Sequence, residues 1–193
     1  ALDRGRAAAR MPAIRPGASI TESPGVTAHR YAVYAVPPAG SLLERRAEAW
    51  LGRSARTGEA VARPPALAPH ADTIDAVTAS PRRYGFHGTL RAPMRLAAGR
   101  SADDLAEAVS AVARRHPPFA LPLAIGALGG FLALLPDGPA PAIAALHADV
   151  LAATDPLRAP PDAAEQARRR AAGLSPQEEA LLSRWGYPYV LER

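Results

Sequence analysis

His87 and Thr89 stand one strand period apart within Pro81-Arg-Arg-Tyr-Gly-Phe-His-Gly-Thr-Leu-Arg-Ala-Pro93. From Phe86 to Leu90, large apolar residues alternate with small or polar ones, the pattern of a half-buried strand. In that register His87 and Thr89 share one face, and Phe86, Gly88 and Leu90 share the other. An imidazole titrates near neutral pH, and a hydroxyl donates without charge. Arg82, Arg83 and Arg91 add fixed positive charge close by. That set suits a phosphate ester.

Cleaving a phosphodiester without a metal takes a base to activate the attacking oxygen and an acid to protonate the leaving one. A single histidine supplies one of these. The remaining histidines, His29, His70, His116 and His147, are not followed two residues later by Thr or Ser. His116 precedes Pro117-Pro118 and fits the end of a helix better than a site, because a helix C-terminus favours a cation. His147 falls on the flank of an expected helix.

The elements that must position the motif follow from periodicity and punctuation. Arg30-Tyr-Ala-Val-Tyr-Ala-Val36 predicts a strand closed by Pro37-Pro38. Ser41 predicts the N-cap of a helix through Leu51, with Glu44 completing a capping box and Gly52 ending it. Residues 53–69, with Pro64, Pro65 and Pro69, read as a surface loop, and Asp72–Ala79 as a short helix. Ser101 caps a helix to Arg115 whose core face is Leu105, Val109 and Val112. Phe119–Leu128 and Phe131–Leu135 read as two strands joined at Gly129-Gly130. Helices are expected over Pro139–Ala153, from Asp162 to Gly173 and from Ser175 to Trp185, with a strand approach starting at Tyr187. Strands interleaved with helices predict an α+β fold, sheets packed on helices.

Composition sets wider bounds. The chain has 193 residues, 48% of them hydrophobic, enough for one domain or two small lobes. All 23 basic residues are arginine, with no lysine and no asparagine, the mark of a coding bias that weakens any inference from arginine number. Arg168–Arg170 therefore read as a solvated helix face before an RNA patch. The net charge of +5 and a pI near 10.4 accommodate acidic ligands. No cysteine is present, which excludes disulfides and thiolate metal sites and makes the cytoplasm the expected compartment. The longest apolar run, Phe119–Leu135, is interrupted by Pro122 and three glycines and predicts no membrane span. Neither paired metal-ligand spacing nor a phosphate-cradling P-loop occurs, so no metal or cofactor is expected. Residues 1–28 read as a disordered extension, with Met11 as an alternative start, and residues 29–193 as the folded domain.

Arg82-Arg-Tyr-Gly-Phe-His-Gly-Thr-Leu-Arg-Ala-Pro93 resembles the first histidine–x–threonine motif of the two-histidine (2H) phosphoesterase superfamily. The nearer likeness is to its branch of phosphonate-metabolism proteins, related to 2′-5′ RNA ligase-like proteins. It continues through Arg30-Tyr-Ala-Val-Tyr34, Trp50-Leu-Gly-Arg53, Leu128-Gly-Gly-Phe-Leu-Ala-Leu134 and Arg184-Trp-Gly-Tyr-Pro-Tyr-Val190. The resemblance implies two sheet-bearing lobes, each lending one histidine–x–threonine/serine strand to a cleft. It implies His87 as general acid or base and Thr89 as the phosphate holder. Arg82, Arg83, Tyr84 and Arg91 are assigned to substrate binding from their neighbourhood to the motif. The second motif is expected after Tyr187-Pro-Tyr-Val190, where this chain stops, so a truncated second lobe and an impaired enzyme are expected. The substrate class is a cyclic or linear phosphodiester of a small nucleotide or sugar phosphate. The alternative is a non-catalytic module binding a phosphate ester or, less favoured, RNA.

Overall fold

The computed structural model describes residues 8–10, 29–128, 130–171 and 173–190. It is α+β, helices with two small sheets, as the interleaved pattern predicts. The chain divides into two compact units, one drawn from residues 1–12, 34–88 and 118–139, the other from 13–33, 89–117 and 140–193.

The first unit contains the hairpin of β4 (Ala120–Leu128) and β5 (Phe131–Pro136). Leu128 pairs with Phe131, which leaves the two glycines between the strands, as expected. Residues Ala8–Arg10 form β1, antiparallel to β4, with Arg10 opposite Ala120. This strand lies inside the stretch expected to be disordered. The edge of β4 offers main-chain donors and acceptors to any extended segment, and such pairing needs no side-chain pattern that a sequence could display. The rest of residues 1–28, Met11 included, lies outside the described residues.

Helix α1 (Leu42–Leu51) starts where Ser41 Oγ accepts the Glu44 N–H at 3.1 Å and stops at Gly52, whose φ is +73°. The expected capping box is only half made. Glu44 accepts instead from the Gly40 N–H and from Arg56 Nε, each at 2.5 Å. Arg56 also donates to the Pro37 carbonyl, so this nearly buried carboxylate ties the helix start to two loops. Helix α2 (Ala71–Thr78) follows a 3-10 turn, Pro65–His70, within the proline-rich loop.

The second unit holds Thr89–Met94 of β3 (Gly88–Met94) and Tyr31–Val33 of its partner strand β2 (Tyr31–Ala35). Helix α3 (Ala102–Arg115) has the full capping box of Ser101 and Asp104, and it buries Leu105, Val109 and Val112 as predicted. Leu105 and Val109 pack with Met94 and Leu157, flanked by Tyr31 and Val33. Helix α4 (Pro141–Thr154) buries Leu146, Val150 and Leu151. Helix α5 (Ala163–Arg170) is capped by Asp162, and α6 (Pro176–Trp185) by a second capping box of Ser175 and Glu178. His116 caps the end of α3, and its Nε2 lies 2.8 Å from Asp149 on α4. Tyr187–Val190 bends rather than extending as a strand. No helix among the described residues is long and apolar enough to cross a membrane.

Candidate functional site

His87 precedes the first residue of β3 and belongs to the first unit. The chain reaches it through a 3-10 turn at Pro81–Arg83 and then Gly85, whose φ is +74°. A side chain at Gly85 would place its Cβ 2.6 Å from the Cα of Ala55, so both the backbone angle and the close approach require glycine. The Gly85 carbonyl lies 3.0 Å from His87 Nδ1. A carbonyl can only accept, so Nδ1 is the donor in this contact. Nε2 has no hydrogen-bond partner among the described residues.

Two tyrosines fix the ring. Tyr34, at the end of β2, stacks on it with centroids 3.8 Å apart and planes 26° apart. Tyr84 meets it edge-on at 6.4 Å and is itself 62% exposed. Burial, and then the neighbouring Tyr84, raise the Tyr34 phenol above its ordinary pKa, which keeps it a neutral donor. Sequence reasoning placed Tyr34 in a strand and assigned it no role. The scarcity of aromatic residues, 5% of the chain, was the available signal.

The other residues assigned from sequence divide between the units. Arg82 turns to α2, with Nη2 2.5 Å from Asp75 Oδ1 and 2.7 Å from Thr78 Oγ1. Arg63 joins the same Asp75 at 2.8 Å, and the two arginines hold its carboxyl below the usual range. Arg83 is exposed. Thr89 and Arg91 lie on β3 in the second unit. Thr89 is exposed, whereas Arg91 is 2% exposed and pairs with Asp155 at 3.2 Å. The alternation expected over Phe86–Leu90 does not continue beyond it, because β3 buries Leu90, Arg91 and Ala92 in succession. Among the described residues no group of three or more His, Asp or Glu side chains is placed to hold a metal ion.

Residues 89–193 match the model of a family described as "Protein of unknown function (DUF1045)". The chain belongs to this DUF1045 family. The match includes Thr89 and Arg91 and begins two residues after His87. A protein of Laribacter hongkongensis (strain HLHK9) named ribose 1,5-bisphosphate phosphokinase PhnN is 43% identical over 164 residues, 84% of this chain and 37% of its own. A protein of the same name from Janthinobacterium sp. (strain Marseille) is 37% identical over 164 residues, again 84% of this chain and 36% of its own. The chain therefore spans little more than a third of these relatives. No solved structure matches.

Proposed function

We propose that this member of the DUF1045 family is a 2H-type phosphoesterase domain acting on a phosphodiester of a small phosphorylated sugar, within phosphonate metabolism. The observation that carries this reading is the 3.0 Å contact of His87 Nδ1 with the Gly85 carbonyl, with Nε2 unpartnered among the described residues. Nε2 takes a proton from an attacking water as its oxygen bonds to phosphorus. The bond from phosphorus to the leaving oxygen breaks, and that oxygen takes a proton from a second acid. The 2H resemblance assigns that acid to a second histidine. The 2H resemblance assigns the phosphate to Thr89, and the exposed Arg83 and Tyr84 flank His87 in sequence.

The relatives' names support a ribose phosphate as the substrate class. Their phosphokinase activity is best assigned to the part of those proteins that this chain does not span. A P-loop needs a lysine against the phosphates, and this chain contains none.

The test is hydrolysis of a 2′,3′-cyclic nucleotide and of a cyclic phosphodiester of ribose, in EDTA. We expect turnover that His87→Ala reduces by roughly 10²–10⁴-fold, the usual contribution of a general acid or base. Equal turnover by His87→Ala would overturn the assignment. Ester binding without any turnover would favour the non-catalytic module.

A further inference from the structure

Five guanidiniums in the second unit share two carboxylates. Asp155 Oδ1 accepts from Arg91 Nη2 at 3.2 Å and Arg158 Nε at 3.0 Å, and its Oδ2 from Arg184 Nη1 at 3.2 Å. Glu165 Oε1 accepts from Arg30 Nη2 at 2.8 Å and Arg169 Nη2 at 2.5 Å. Five positive charges against two negative ones leave three in excess.

A cleft opens beside this network, lined by Arg91, Arg158, Arg169, Glu165 and Tyr187 among others. Arg91 is 2% exposed, yet its Nη1 is buried without a hydrogen-bond partner among the described residues. A buried donor left unmade is costly, more so when it is charged, so an orphan of this kind calls for a partner. Burial also pushes the Arg91 guanidinium below its ordinary pKa, with Asp155 offsetting part of the effect. An anion in the cleft would offset the positive charge that Asp155 leaves unbalanced among Arg91, Arg158 and Arg184.

Glycine makes the space. Gly186, at φ +72°, ends α6, and a Cβ there would lie 2.8 Å from Arg158 Nη1. The Gly186 carbonyl accepts from Arg169 Nη1 at 2.5 Å, which fixes a second guanidinium at the same place. Arg169 also lies over the Tyr187 ring, 5.0 Å from its centroid. One glycine therefore admits one arginine and aims another.

Charge selects the ligand. Guanidinium forks match the oxygens of a phosphoryl group, and a dianion balances most of the excess charge. We propose that this cleft binds a phosphoryl dianion, as free phosphate or as the phosphate of a monoester whose remainder lies outside. The site stands independently of the phosphoesterase reading, because it uses neither His87 nor Thr89.

Calorimetric titration of the intact chain with inorganic phosphate and, separately, with ribose 5-phosphate tests this, with ribose as the control. We expect saturable binding, retained by His87→Ala, to at least one of the two phosphates and none to ribose. A tighter ribose 5-phosphate isotherm identifies a monoester, and equal or tighter inorganic phosphate identifies the free anion. Arg158→Gln and Arg169→Gln should each weaken binding about tenfold or more, with unchanged circular dichroism, and His87→Ala should leave it intact. Arg91→Met should abolish it; should that variant fail to fold, the two glutamine variants decide. No saturable binding of either phosphate overturns the proposal. So does binding that His87→Ala removes while the glutamine variants retain it.

Discussion

The carbonyl of Gly85 holds Nδ1 of His87 at 3.0 Å, and it can do so only because Gly85 has no side chain. The same residue meets two demands, a left-handed backbone and contact with Ala55. Gly85→Ala should therefore cost about 1–2 kcal/mol for the backbone angle and a further ~1–3 kcal/mol for the overlap. Chemical denaturation should show this as a lower midpoint with little change in slope. Any hydrolysis that depends on His87 should fall with it. A variant as stable as the parent would mean that the turn relaxes without loss.

Tyr34 restrains the imidazole from one face, and stacked aromatic pairs contribute about 0.5–1.5 kcal/mol beyond area burial. Tyr34→Phe keeps the ring and should leave the environment of His87 nearly unchanged. Tyr34→Ala removes it and should broaden or shift the His87 imidazole signals in an NMR spectrum, with a fall in turnover. If both variants behave like the parent, stacking does not position His87.

Much of this arrangement is written locally. Ser101 with Asp104 and Ser175 with Glu178 specify helix starts within four residues, and Leu105, Val109 and Val112 specify a buried face within two turns. The glycine pair between β4 and β5 specifies the hairpin just as directly. Glu44 shows where local reading fails. The spacing from Ser41 is right for a capping box, but Arg56, twelve residues away, draws the carboxylate elsewhere. Arg91 and Asp155 are 64 residues apart, so proximity to the motif gave no sign that Arg91 would be buried on an aspartate. Tyr34 and His87 lie 53 residues apart in sequence, and no periodicity connects them. Sequence names the histidine; long-range pairing chooses its neighbours.

Asp155 is where such pairing has most consequence for stability. Burial alone would raise its pKa, but the hydrogen bond and charge of Arg158, followed by those of Arg91, outweigh it and hold the carboxyl below the usual range. A carboxyl lowered on folding stabilises the fold fully above its unfolded value, about pH 3.9, and loses that contribution as pH falls through the lower folded value. Stability should therefore drop on acidification below about pH 4, and Asp155→Asn should remove that part of the pH dependence. At neutral pH the same substitution leaves Arg91 buried beside a neutral amide. Removing one partner of a buried pair costs about 3–5 kcal/mol. Asp155 is 18% exposed and the network is partly wetted, so the lower end of that range is expected. Urea unfolding of the parent and of Asp155→Asn at pH 7 and pH 3 measures both effects. A loss at pH 7 that shrinks at pH 3 supports the pairing, whereas an equal loss at both values would assign it to packing around Asp155 instead.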